Sequence, residues 1–200
     1  MWSSVRDAIS VLLGGNLGEI LFVLGTGLFG APALNARQLL LVNLLTDLAP
    51  SLALALSPPR VGAPEALIRE GPEASLGSVL TRDVAVRAAA TAGAAGIAWS
   101  AARVTGSSPR AGSVALIALV GAQLGQTAVA GRGSPLVLGA VGVSFLALAS
   151  AVEVPGVAQA FGCRPIGPVG WGIGLGAAGL GTAAAWLAPR YLPAPGPAGR

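Results

Sequence analysis

Six apolar windows divide the chain, at about 8–28, 36–57, 84–103, 112–130, 135–153 and 167–188. Each holds about 18 residues or more, enough for a helix to cross ~30 Å of hydrocarbon. Turn-forming residues separate them. Gly30-Ala31-Pro32 lies between the first two windows, Ser57-Pro58-Pro59 ends the second, Ser107-Ser108-Pro109 divides the third from the fourth, and Gly133-Ser134-Pro135 opens the fifth. The pattern predicts an all-α fold: a polytopic membrane helical bundle of about six transmembrane helices.

Polar residues concentrate between these windows. The stretch 58–83 carries Arg60, Glu65, Arg69, Glu70, Glu73, Arg82 and Asp83 among four prolines, and is expected to be a long cytoplasmic loop. The tail 189–200 is rich in Pro and Gly and is expected to be disordered. The organisation that follows is a first helix pair over 1–57, the loop 58–83, a four-helix membrane bundle over 84–188 and the tail.

Composition agrees with a lipid environment. Of the 200 residues, 54% are hydrophobic and 10% charged, against roughly 25% charged in a soluble domain, and mean hydropathy is +0.75. The 30 glycines suit helices packed through small residues. All 12 basic residues are arginine, so no phosphate-cradling P-loop lysine exists. The arginines are scattered singly, without the basic stripe or interleaved aromatics of a nucleic-acid binder, and no nucleic-acid partner is expected.

One cysteine, Cys163, rules out an intrachain disulfide framework, and the absence of histidine removes His-dependent catalytic triads and most soft-metal sites. The N-terminus leads into an apolar run without an Ala-x-Ala-like cleavage site, which reads as a retained helix. Six spans place both termini on one side. With the termini inside, eight arginines fall on cytoplasmic segments and four outside, favouring an N-in, C-in orientation. Much Ala, Gly, Val and Arg with no Lys suggests a GC-rich bacterial genome, and hence a bacterial plasma membrane.

Two of the eight acidic residues change the picture. Glu19 and Asp47 lie near the centres of the first two windows, where an unpaired charge costs at least ~2.5–3.5 kcal/mol. Asn16 lies three residues before Glu19, and Asn43, Thr46 and Asp47 follow i, i+3, i+4 spacing, so each set shares a helix face. Carboxylate, amide and hydroxyl oxygens suit a hard cation such as Ca²⁺, Mg²⁺, Mn²⁺ or an alkali ion. Pro50 frees a backbone carbonyl that is also able to face an ion. The alternative is that these groups hydrogen-bond the helices together, with the acids protonated.

Elsewhere the chemistry is plainer. Gly170-x-Gly172-x-Gly174-x-Gly176 lies inside an apolar span with no following lysine, and reads as close helix packing, with Gly172 and Gly176 as a G-x-x-x-G pair. Trp99, Trp171 and Trp186 read as interface anchors, and Glu153 and Arg164 as solvated surface groups.

The run Asn16-Leu17-Gly18-Glu19, a short Pro-containing turn, then Gln38 through Val42-Asn43-Leu44-Leu45-Thr46-Asp47-Leu48-Ala49-Pro50 and Pro58-Pro59 resembles membrane helices five and six of type-2 P-type cation ATPases. The resemblance is strong over 12–59, and the four later spans agree with helices seven to ten in number and spacing. It implies that Asn16 and Glu19 are helix-five ligands and Asn43, Thr46 and Asp47 helix-six ligands. Gln123 stands where reticulum-type calcium pumps offer an acid, a departure that bears on a second ion site and on the ion's identity. Gln123, Gln126 and Thr127 form a weaker polar patch.

The family's phosphorylated Asp-Lys-Thr-Gly-Thr motif, nucleotide-binding domain, actuator motif and first four membrane helices are absent, so this chain alone is expected not to hydrolyse ATP and to hold no ATP site. The residues Met1–Asp7 match the stalk above helix five, which implies that a coding break or an artificial boundary removed what lies upstream. The resemblance makes the missing catalytic part a partner alongside the bilayer. Two other readings stand beside it: a free-standing secondary ion transporter or channel, for which no internal repeat is found, and a vestigial structural membrane protein.

Overall fold

The computed structural model describes residues 2–29, 32–56, 77–131 and 133–192. Among these residues there is helix and no strand. In chain order the helices are α1 (Trp2–Leu28), α2 (Ala36–Asn43), a π-helical turn (Leu44–Leu48), α3 (Ala49–Leu56), α4 (Ser78–Thr105), α5 (Ser108–Gly131), α6 (Pro135–Glu153), the short α7 (Val157–Phe161) and α8 (Pro168–Tyr191).

Five of the expected spans are long and apolar enough to cross a membrane: α1, the continuous Ala36–Leu56 rod, α5, α6 and α8. The remaining one, α4, is longer than any of these at 28 residues but less apolar, built on Ala and Gly with Arg82, Asp83 and Arg87 near its start. The chain is thus an integral membrane helical bundle. Residues 57–76 of the expected loop and 193–200 of the expected tail lie outside the described residues. Two stretches differ from expectation. Residues 78–83 already belong to α4, where the guanidinium of Arg82 pairs with its neighbour Asp83 at 2.8 Å. Pro189 and Arg190 continue α8, with the Arg190 guanidinium 3.8 Å over the Trp186 ring one turn back.

Local sequence sets the helix ends. Asn35 and Gln38 form a reciprocal capping box at the start of α2, with the Asn35 side chain accepting from the Gln38 backbone N–H at 2.9 Å and the Gln38 side chain accepting from that of Asn35 at 3.0 Å. Prolines open α6 and α8, where a missing N–H costs nothing. The left-handed Gly162 (φ +69°) ends α7.

The centre of the bundle is α5, buried around its whole circumference from Ala111 to Val120. It packs against α4, α8, α6 and α1, while α1 lies mainly along α4. Glycines permit these close approaches. A Cβ on Gly18 would meet Thr91 Cβ at 2.8 Å and the Ala88 carbonyl oxygen at 2.9 Å, so α1 and α4 run nearly backbone to backbone there. On α8 the packing glycines are Gly170, Gly174 and Gly181, which abut Ile166, Ile117 and Ala90. The expected pair Gly172 and Gly176 instead meets nothing within 4 Å, because the i, i+4 stripe that faces α5 is the one two residues out of phase with it.

A polar clasp holds the connection before α8. The Glu153 carboxylate accepts the Ile166 backbone N–H at 3.2 Å and the Trp171 indole N–H at 2.9 Å. Glu153 therefore ties a loop to a helix, which departs from the solvated role expected of it. The indole N–H of Trp171 is committed in the same way.

Candidate cation site

The side chains of α1 and the π-turn meet midway along their helices. Glu19 is 7% exposed, and its carboxylate lies close enough to that of Asp47 for the two to repel. The Asp47 carboxylate accepts hydrogen bonds from the Asn16 side chain and from the Thr46 hydroxyl, the latter at 3.2 Å. Thr46 is buried and its hydroxyl also reaches the Val42 carbonyl at 2.9 Å. Asn16, Glu19, Thr46 and Asp47 are thus brought together.

Asn43 is not. It is exposed, directly before a change in the helix. Pro50 has no N–H to give to the turn before it, and Leu44–Leu48 relaxes into a π-helical turn. Asn43 directly precedes that turn and lies outward with the exposed Leu44 and Leu48. The freed carbonyl anticipated at Pro50 is found at Thr46, where it accepts from the Ser51 hydroxyl at 3.3 Å.

Gln123 reaches the rim of the group from α5. It is 4% exposed, and its Oε1 would lie 2.7 Å from a Cβ on Gly15, beside Asn16 and one helical turn from Glu19. Its neighbours serve packing: Gln126 donates to the Thr91 hydroxyl at 3.0 Å, and Thr127 donates to the Gln123 carbonyl at 2.9 Å. Thr91, Gly15 and Ser51 were not singled out by sequence pattern. None is unusual in a small-residue helix: the approach of another helix gives Thr91 and Gly15 their role, and the freed Thr46 carbonyl gives Ser51 its own.

Three buried polar atoms in this group have no hydrogen-bond partner: Glu19 Oε2, Asn16 Oδ1 and Gln123 Nε2. Such atoms are costly to leave unsatisfied. Two are oxygens, and they stand beside a second carboxylate and a hydroxyl. This donor set fits a hard cation. Among the described residues no cluster of three or more Asp, Glu, His or Cys exists, so amide, hydroxyl or carbonyl oxygens would complete any coordination shell built here.

Ionisable groups inside a bundle of membrane-length helices, as Glu19 and Asp47 are here, mark a candidate ion pathway. The comparisons with known proteins agree. The model of the family described as "Cation transporting ATPase, C-terminus" matches residues 31–190, and the chain belongs to that family. It is 38% identical to the probable cation-transporting ATPase I of Mycobacterium leprae and 41% identical to that of Mycobacterium tuberculosis, with 96% of the chain aligned in each case. A probable calcium-transporting ATPase of Trypanosoma brucei brucei is 43% identical over 30% of the chain. The chain spans 13% of the length of the two mycobacterial relatives.

Proposed function

We propose that this chain is the cation-binding C-terminal membrane portion of a P-type ATPase ion pump, without the ATP-hydrolysing domains, and that Glu19, Asp47, Asn16 and Thr46 bind the transported ion. The carrying observation is the pair of unpartnered buried oxygens, Glu19 Oε2 and Asn16 Oδ1, beside the Asp47 carboxylate. A cation placed there neutralises two carboxylates that otherwise repel, and satisfies both orphaned oxygens. The substrate is a hard, oxygen-ligated ion of the Ca²⁺, Mg²⁺, Mn²⁺ or alkali class. Gln123 flanks the site as an amide ligand, and Asn43, exposed on the outer face of the α2–α3 rod, faces the partner that closes the site.

That partner is the catalytic part of the pump, which the short span of the chain relative to its relatives leaves room for. Phosphorylation there would tilt these helices between inward- and outward-facing arrangements with different affinity for the ion. The arginine distribution supports N-in, C-in insertion in a bacterial plasma membrane.

The test is ion-stimulated phosphoenzyme formation by the chain assembled with the catalytic portion of a family pump, titrated with Ca²⁺, Mn²⁺, Mg²⁺ and K⁺ in turn. Glu19→Gln and Asp47→Asn should each raise the half-saturating concentration of the stimulating ion by about tenfold or more. An unchanged ion dependence in both variants overturns the site.

A further inference from the structure

Two cavities adjoin at the end of the bundle formed by the start of α1 and α4 and the end of α5 and α8. One, of about 360 Å³, is polar and lined by Asp7, Arg87 and Gln126. The other, of about 440 Å³, is an apolar groove between α5, α6 and α8, walled by Val141, Phe145 and Leu175. Each falls in the size range of small-molecule sites, roughly 300–1,000 Å³. Val129, Thr182 and Trp186 line both, so the polar chamber continues into the groove.

We propose that these two cavities together form a site for one anionic phospholipid, with its phosphate held at Arg87 and one acyl chain laid in the groove. The occupant follows from the chemistry of the two halves. A charged chamber joined to a groove open to the hydrocarbon matches an amphiphile whose head and tail meet at the membrane interface, and Trp186, whose ring carries the Arg190 guanidinium, marks that level.

The charge balance favours an anion. Arg6, Arg82, Arg87 and Arg190 cluster at this end with Asp7 and Asp83, leaving an excess of two positive charges among these described residues. The chamber wall itself carries Arg87 and Asp7, and Arg190, seated on the lining residue Trp186, brings a second positive charge to its edge, the kind of basic grouping between membrane helices that holds anionic headgroups. The groove has room for a chain because Gly179, exposed on the groove face of α8, meets nothing within 4 Å. The site is separate from Glu19 and Asp47, neither of which lines either cavity.

The experiment is native mass spectrometry of the purified full chain, equilibrated in detergent with equal amounts of phosphatidylglycerol and phosphatidylcholine of identical acyl chains. The chain should retain one phosphatidylglycerol in preference to phosphatidylcholine. Arg87→Gln should lower that retention about fivefold, the factor one arginine contributes near an anionic surface. Gly179→Leu fills the groove without touching the packed core, and should abolish retention of a defined lipid. It decides the matter alone if Arg87→Gln fails to fold. Equal retention of both lipids, or full retention of phosphatidylglycerol by Gly179→Leu, overturns the proposal.

Discussion

Replacing Gly18 by alanine tests the packing that delivers Glu19 to its place. The added methyl would sit 2.8 Å from Thr91 Cβ and 2.9 Å from the Ala88 carbonyl oxygen, where carbon atoms in contact prefer ~3.5–4.0 Å. Neither neighbour is the free end of a flexible side chain, so α1 and α4 must separate. Overpacking of this kind costs about 1–3 kcal/mol, while Gly to Ala in a helix returns up to about 1 kcal/mol. Gly25, on the same helix, meets nothing within 4 Å, so Gly25→Ala keeps the propensity gain without the clash. The two variants should therefore differ by about 1–3 kcal/mol, or roughly 2–12 °C in thermal midpoint for a chain of this size. Scans of both in one mild detergent measure the difference. If Gly18→Ala melts together with Gly25→Ala or above it, the close approach of α1 and α4 is wrong.

Two further outcomes follow from the connection before α8. Glu153→Ala leaves the Ile166 and Trp171 N–H groups without their acceptor and should cost about 1–4 kcal/mol, whereas Glu153→Gln keeps an oxygen there and should cost roughly half as much; a melt of each against the parent checks this, and two unshifted melts would refute the clasp. Cys163 is 4% exposed, and burial raises its thiol pKa against the opposing hydrogen bonds of Gln38 and Ser113. The folded chain should therefore react slowly with maleimide at pH 8 and quickly once unfolded. Because the folded pKa is the higher one, the thiol's contribution to stability is complete below the ordinary thiol range and is lost as pH rises from there through the raised folded value; rapid labelling of the folded chain at pH 8 would contradict this.

The amino-acid sequence by itself determined the helices, their approximate ends and the polar groups of the candidate site. A run of 18 apolar residues has few options in lipid, since every backbone group must be bonded within its own segment. Carboxylates at such depth are costly enough to announce themselves, as Glu19 and Asp47 do. Asn16 and Thr46 could be read from their spacing because helical periodicity places them on the same faces.

Tertiary structure decided the rest. Asn43 met the same spacing rule and still faces outward, at the point where the α-helix gives way to the π-helical turn. Gly172 and Gly176 read as a packing pair, yet Gly170, Gly174 and Gly181 make the contacts. An apolar helix in a membrane has no polar face to mark which side points inward, so a small-residue motif names a capacity for close packing and not its direction. Glu153 looked like a surface acid until Trp171 and Ile166 converged on it. In each case the deciding contact joins residues from different helices or depends on a break in helical register, and neither is present in the local pattern along the chain.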